Sequence, residues 1–331
     1  MWTALSLWLI NGVGLALYAA IAARLIAQGA PAWPFVIALP LLYLGLIAIF
    51  VTLYFVLAWW FRAKPPPETS LTWRQRVHMY WREYVALVGS APRMMFYRLV
   101  MPDPPSAPAD RPLLLMHGVL CNAGVWNRLA RFLKARGIGP IYALSYGPPL
   151  ATIEHFADQM RDKIEEILGA TGAPKVVVVA HSMGGLVTRA YLRKYGGAKI
   201  ARVITLATPY RGSVHAYLVP GQLASQLRPD NPYLNALDLP ADASMPPIVS
   251  LWSWHDSMVA PQTSSRLDGA ENIPLTGVAH NVLLGDPRVF EIVLGEIEKA
   301  RTVPDPRAPR ATPPVTSESP ALTAQTPSAR R

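Results

Sequence analysis

Two long runs of apolar residues open the chain. The first covers residues 5–26 and is interrupted by Ser6, Asn11, two glycines and, near its end, Arg24. The second covers residues 33–61 and carries no charge. Each reaches the ~20 residues that a helix needs to cross about 30 Å of hydrocarbon. The second is longer and contains Pro40, so a tilt, a kink or an interfacial start is expected. Trp33, Trp59 and Trp60 lie near its ends, where indole rings favour the headgroup zone. Gln28, Gly29, Ala30, Pro31 and Ala32 join the runs as a hairpin link would.

Pro65, Pro66 and Pro67 then make a stiff break, and residues 71–88 show helical periodicity. Trp73, Val77, Tyr80, Trp81, Tyr84, Val85 and Val88 fall on one face; Arg74, Gln75, His78, Arg82 and Glu83 fall largely opposite. Two readings stand open: a helix lying in a membrane interface, or one packed on the unit that follows. Beyond it the pattern changes to short apolar runs. Residues 94–101, 112–116, 141–145, 175–180, 203–207, 247–252 and 273–276 read as strands. Residues 123–136, 152–168, 184–195 and 287–301 read as helices. This alternation predicts a mostly parallel sheet covered by helices on both faces. From residue 302 the chain is mostly Pro, Ala, Ser, Thr and Arg. Such a segment cannot bury a core and is expected to be disordered. The layout is therefore a two-helix hairpin (1–64), a linker with an amphipathic helix (65–92), an α/β unit (93–301) and a tail (302–331), with no internal repeat.

Composition sharpens the membrane reading. Hydrophobic residues make up 51% of the chain, and the excess sits before Arg62. The formal net charge of +10 suits either nucleic acid or an anionic membrane surface. Zinc-finger spacing and RNA-binding signatures are missing, so no nucleic-acid partner is expected. Arg62, Lys64, Arg74 and Arg76 follow the second apolar run, whereas the other flank offers at most Arg24. The positive-inside rule then puts both termini, and the α/β unit with them, in the cytoplasm. A cleaved signal peptide competes for the first run. It lacks a basic start, reading Met1-Trp2-Thr3-Ala4-Leu5, and a second apolar run follows at once. The lone cysteine, Cys121, excludes an internal disulfide and fits a reducing compartment.

The chemistry begins at Val176-Val177-Val178-Val179-Ala180-His181-Ser182-Met183-Gly184-Gly185. A valine strand, a sharp turn and a helix start form the setting of a nucleophile elbow. The bland alternative is a buried Ser-Gly turn. Serine is a weak nucleophile at neutral pH and needs a base. Where such elbows occur, an acid and then a histidine follow the serine along the chain. His280 lies directly after the expected last strand, with His215 and His255 as rivals. Asp256 follows the strand before it; Asp268, in a turn, and Asp286, a helix N-cap, compete with it. Two backbone N–H groups should hold an oxyanion. Met183 follows the nucleophile, and Val119 follows the first strand in Met116-His117-Gly118-Val119-Leu120. His117 is expected to make a structural hydrogen bond in that turn.

These segments resemble the bacterial lipase and esterase branch of the α/β-hydrolases, and are most similar to the small secreted Bacillus lipases. Leu115-Met116-His117-Gly118-Val119 carries part of the likeness, and Ala180-His181-Ser182-Met183-Gly184-Gly185 another. The third part runs from Asp256 through Ser265-Arg266-Leu267-Asp268-Gly269-Ala270 to Gly277-Val278-Ala279-His280 and Leu283-Leu284. Residues 205–213 are similar to a strand-and-loop motif of larger lipases. The likeness covers about residues 112–301. It implies an α/β-hydrolase fold, hydrolysis of carboxylic esters through an acyl-enzyme, and Asp256 and His280 as partners of Ser182. A lipid or other apolar acyl ester is the implied substrate, at the bilayer of a bacterial inner membrane. Thioesterase, phospholipase or acyltransferase chemistry could use the same residues; a non-catalytic scaffold is the remote alternative. Residues 213–243 depart from the smallest lipases and read as a lid or as a surface insertion. The calcium pattern of larger lipases is not recognisable, so neither metal nor cofactor is expected.

Overall fold

A computed structural model describes residues 2–238 and 245–302. The valine- and leucine-rich runs become six parallel strands: β1 (Leu113–Met116), β2 (Ile141–Leu144), β3 (Val176–His181), β4 (Ile200–Leu206), β5 (Ile248–Ser253) and β6 (Glu271–Leu275). They lie in the order β2-β1-β3-β4-β5-β6, every neighbouring pair parallel. Side chains alternate between the two faces of a strand, so each strand feeds two cores. Val177 and Val179 of β3 pack with Leu129 and Leu133 of α5 (Asn127–Lys134) and with Val289, Val293 and Ile297 of the closing helix α10 (Pro287–Thr302). Val176, Val178 and Ala180 face the other way. They meet Phe156, Met160 and Ile164 of α6 (Ile153–Thr171) and Leu186 and Val187 of α7 (Met183–Tyr195). Apolar residues on both faces explain why the strands read as continuous rather than alternating runs.

The N-terminal runs form α1 (Trp2–Ala27) and α2 (Trp33–Trp60), two helices long and apolar enough to cross a membrane. The link between them is tied by the Gln28 amide to Arg24 and the Ala30 amide to Leu25. The Tyr18 hydroxyl donates to the Phe35 carbonyl at 2.7 Å. The open end of this pair rests on the α/β unit. Thr3 Oγ1 donates to the Cys121 carbonyl at 2.9 Å, and Gln262 accepts from the Ala63 amide at 3.1 Å.

A third helix, α3 (Trp73–Met95), starts on a capping box in which Thr72 and Gln75 exchange side-chain-to-backbone hydrogen bonds. Such a cap contributes about 1 kcal/mol. Tyr80 and Tyr84 donate their hydroxyls to the Ala48 and Leu44 carbonyls of α2. Met79, Glu83 and Met94 are buried, and Glu83 bonds into the α/β unit. Trp73 and Trp81 stay 77% and 58% exposed. Glu83 of the nominally polar side thus faces protein, as do Tyr80 and Tyr84, while Trp73 and Trp81 face outward.

The strand expected over residues 94–101 is not formed. α3 continues to Met95, and α4 (Tyr97–Val100) follows. A short apolar run does not decide between helix and strand by itself. Here the Met94 carbonyl at the helix end accepts from Asn122 Nδ2 at 2.9 Å, which satisfies it where the helix cannot. Residues 214–238 hold a 3₁₀ turn (Val214–Leu218), α8 (Gln222–Gln226) and α9 (Pro232–Ala236). The end of the segment read as a lid or insertion, and the tail from 303, lie outside the described residues.

Candidate active site

β3 delivers Ser182 at the carboxyl edge of the sheet with φ 54° and ψ −127°, a backbone state that costs a non-glycine residue about 1–3 kcal/mol. The surroundings hold it there. The Ser182 amide donates to the Leu206 carbonyl at 2.8 Å, and Thr208 Oγ1 donates to the Ser182 carbonyl at 3.0 Å. The following glycines are required by contact: a Cβ on Gly184 would stand 2.5 Å from the Met116 carbonyl oxygen, and one on Gly185 would strike Thr208. Leu120, after β1, and Ala207, after β4, also have positive φ. Strained backbone therefore gathers along one sheet edge, as it does at functional sites.

His280 and Asp256 stand on the loops after β6 and β5. His280 Nδ1 lies 3.0 Å from each Asp256 carboxylate oxygen, and both residues are buried. Asp256 Oδ1 also accepts the Met258 and Val259 amides at 2.8 Å. This fixes the carboxylate before it meets the ring. Burial pushes the His280 pKa down, but the Asp256 charge and hydrogen bond, with a further pull from Glu83, carry it above the ordinary histidine value. With Nδ1 engaged, Nε2 is the ring nitrogen left for a proton from elsewhere.

Glu83 of α3 is the residue that sequence reasoning missed. Its buried carboxylate accepts the Asn281 amide, the Asn281 side-chain amide (2.8 Å) and the Val282 amide (3.0 Å). It also accepts Ser257 Oγ at 2.9 Å, and that oxygen in turn accepts the His280 amide at 3.3 Å. Burial pushes the Glu83 carboxyl up, while these donors and the charge of His280 pull it back. Gln262 makes a matching link from the end of α2, donating to the carbonyls of Ala58 and Asp256. Helix α2 thus braces the acid loop and helix α3 the histidine loop.

The loop after β1 lies directly over the serine, since a Cβ on Gly118 would stand 3.0 Å from Ser182 Cβ. The Val119 and Met183 amides have no protein acceptor among the described residues, which leaves both free to donate to a bound oxyanion. His117 makes the expected turn contact, its Nδ1 lying 2.8 Å from the Gly118 carbonyl. Burial lowers its pKa to about 4, so it is neutral. His181 packs on His280 at 4.6 Å between ring centroids. Burial first, then the His280 charge, keeps it neutral as well.

The rivals go elsewhere. Asp268 has a 96% exposed side chain beside Arg211. Asp286 pairs with Arg82 and Arg288 at 3.0 and 3.1 Å and accepts the Arg288 amide. His255 Nδ1 accepts the Gly277 amide. His215 shares the cavity of Ser182, but its ring stacks on Tyr54 and its Nε2 sits 3.1 Å from the Tyr54 carbonyl. Among the described residues no group of three or more His, Cys, Asp or Glu could hold a metal ion.

A cavity of about 250 Å³ joins these parts. Ser182, His280 and Val119 line it. Leu223 and Leu227 of the segment after β4 and Phe50 and Tyr54 of α2 also contribute to the lining. The arrangement combines a strained serine, a histidine oriented by a carboxylate, free amides and an apolar chamber. Such a set can split acyl transfer into two steps.

Residues 113–325 match the family model described as "Alpha/beta hydrolase family", well over half of the chain. Triacylglycerol lipases of Pseudarthrobacter phenanthrenivorans and Burkholderia plantarii are each 40% identical over 62 residues, which is 19% of this chain and 19% and 17% of theirs. The chain therefore spans about a fifth of the length of these curated relatives. Among solved structures, the mature form of a Bacillus licheniformis lipase is similar in fold, with a TM-score of 0.52 and 18% identity over 59% of this chain and 96% of that one.

Proposed function

Because the chain belongs to the α/β-hydrolase family, we propose that it is a membrane-anchored serine hydrolase that cleaves carboxylic esters of lipids through an acyl-enzyme on Ser182. One observation carries this reading: His280 Nδ1 is held by both oxygens of Asp256 at 3.0 Å, in a cavity shared with the strained Ser182. Ser182 Oγ attacks the ester carbonyl carbon and passes its proton to His280 Nε2. Asp256 keeps the ring oriented and stabilises the imidazolium. The Val119 and Met183 amides hold the oxyanion. As the carbon–oxygen bond breaks, His280 returns the proton to the leaving alcohol. Water then attacks the acyl-enzyme by the same route, releasing the acid and restoring Ser182.

The anchor is the pair of apolar helices α1 and α2. Their open end carries the hydrolase unit, and the basic residues Arg62, Lys64, Arg74 and Arg76 lie just beyond it. By the positive-inside rule these residues support a cytoplasmic hydrolase unit. Because α3 is bonded to the histidine loop, it belongs functionally with the hydrolase unit rather than with the linker. Leu223 and Leu227 of the segment after β4 and Phe50 and Tyr54 of α2 line the cavity, which supports uptake of the ester from the bilayer.

The test uses purified full-length protein in detergent micelles with parallel ester and thioester series of increasing acyl length. Esters should turn over faster than thioesters. Ser182→Ala should cost about 10⁵–10⁶ in kcat with an unchanged circular dichroism spectrum. Equal turnover by both proteins sinks the assignment.

A further inference from the structure

The lining of the Ser182 cavity contains no Asp or Glu, and apart from histidines its only ionisable basic side chains are Arg93 and Arg128. Arg93 comes from the last turn of α3. Its guanidinium folds over Gly89, Nη1 standing 3.3 Å from where a Cβ would be. Its Nε is buried without a hydrogen-bond partner. Arg128 comes from the start of α5 and lies against Gly285, in space that only a glycine leaves open. Neither arginine has a carboxylate partner among the described residues. Other arginines do: Arg82 and Arg288 share Asp286, and Arg189 reaches Asp238 at 2.7 Å.

The two guanidinium groups also feel each other. Burial, and then the charge of Arg128, lowers the Arg93 pKa. Two like charges lining a largely apolar chamber oppose one another until an anion enters between them. Planar guanidinium forks suit phosphate oxygens in particular. The rest of the lining includes Leu223, Leu227 and Phe50, which are apolar. The cavity thus combines an apolar lining with two cationic groups, the pair of properties that an acidic amphiphile presents in reverse.

We propose that Arg93 and Arg128 form an anion subsite in the Ser182 cavity, and that the cavity takes an ester lipid whose headgroup bears a phosphate. The inference rests on the hydrolase reading above, because it assigns Ser182 the ester carbonyl. The adjacent α2 favours a membrane lipid over free phosphate as the source of the group.

The experiment compares phosphatidic acid with diacylglycerol of the same acyl chains, using full-length wild type, Arg93→Gln and Arg128→Gln in neutral detergent micelles. The measured quantity is the ratio of kcat/KM for the acidic lipid to that for the neutral one. Wild type should favour phosphatidic acid, and each substitution should cut the ratio about tenfold, the loss appearing in KM. Arg128 has an exposed side chain, so its variant remains informative if Arg93→Gln does not fold. A second arm measures binding of dodecyl phosphate, dodecanol and inorganic phosphate to Ser182→Ala. Dodecyl phosphate should bind tightest and lose that advantage when either arginine is also replaced. Inorganic phosphate binding as tightly as dodecyl phosphate would overturn the lipid assignment. Turnover of both lipids at a ratio indifferent to the arginines overturns the subsite and leaves the hydrolase reading standing. Arginine-dependent binding without turnover of either lipid overturns the hydrolase reading and leaves the subsite standing.

Discussion

Glu83 holds Asn281 at both its backbone amide, 3.0 Å away, and its side-chain amide, 2.8 Å away, across 198 positions of sequence. The contact ties α3 to the residue next to His280, so the geometry of the proposed base depends on a helix that also packs on α2. Glu83→Gln keeps the shape but removes the charge and turns one acceptor into a donor facing N–H groups. A buried hydrogen bond to a charged group is worth about 1.5–3 kcal/mol. We expect a lower melting temperature and a kcat/KM reduced about 10- to 100-fold. The charge of Glu83 helps to raise the His280 pKa, so its loss should move the acid limb of the pH–rate profile to lower pH. A variant that is merely less stable would leave that limb where it is.

The wild-type profile follows from the same residues. His280 must be neutral to take the proton of Ser182, and its pKa lies above the ordinary value of 6.5. Activity in kcat/KM should therefore rise with pH through a midpoint above 6.5. Asp256→Asn removes the largest opposing influence to burial, so the midpoint should fall while kcat drops by about 10⁴. The stability linkage has the opposite sense. A raised folded-state pKa stabilises the fold below the unfolded value, and that contribution is lost as pH climbs through the folded one. A profile midpoint at or below 6.5 in wild type would show that the Asp256 charge does not outweigh burial at His280.

Legibility in the sequence followed the range of the interactions. Ser182 sits in a local signature, a valine strand before it and Gly184 and Gly185 after it, because the elbow is made by neighbours in sequence. The strands at 113–116, 176–181 and 248–253 were readable for a similar reason, since burial on both faces leaves unbroken apolar runs. Glu83 looked like one more polar residue on a helix: its partners, Ser257, Asn281 and Val282, are fixed only by folding. Residues 94–101 failed for the same cause. Their apolar run suited a strand, and a side chain 28 positions away, Asn122, satisfies the helix end instead. The wall formed by Phe50 and Tyr54 was equally hidden, because an apolar helix long enough to cross a membrane gives no sign that one of its faces lines a cavity.

Two glycines separate close packing from open space. A Cβ on Gly184 would meet backbone oxygens of Met116 and His117 at 2.5 and 2.7 Å, atoms that cannot rotate away. Gly184→Ala should destabilise the protein by about 1–3 kcal/mol or more and displace the loop that carries Val119, with loss of turnover. Gly169 lies inside α6 with no heavy atom within 4 Å of its absent Cβ. Gly169→Ala should stabilise by up to about 1 kcal/mol through helix propensity. Urea unfolding of the pair, followed by tryptophan fluorescence, checks both signs together.

Tyr54 gives the most direct test of uptake from the bilayer. Its ring stacks on His215 at 4.8 Å between centroids, nearly parallel, and its carbonyl sits 3.1 Å from His215 Nε2. Both residues line the Ser182 cavity. A lipid entering beside α2 must pass this wall, whereas a short water-soluble ester need not. Tyr54→Ala keeps the backbone carbonyl and removes the ring. Hydrolysis of a long-chain lipid ester presented in vesicles should fall about tenfold, with the larger part in KM, and the same acyl ester in dispersed detergent should be less affected. The ordering carries the argument: truncating a wall matters most where the substrate leaves the membrane through it. An equal loss on vesicle lipid and on a short soluble ester would mean that Tyr54 only supports His215, and that the substrate reaches Ser182 from the aqueous side.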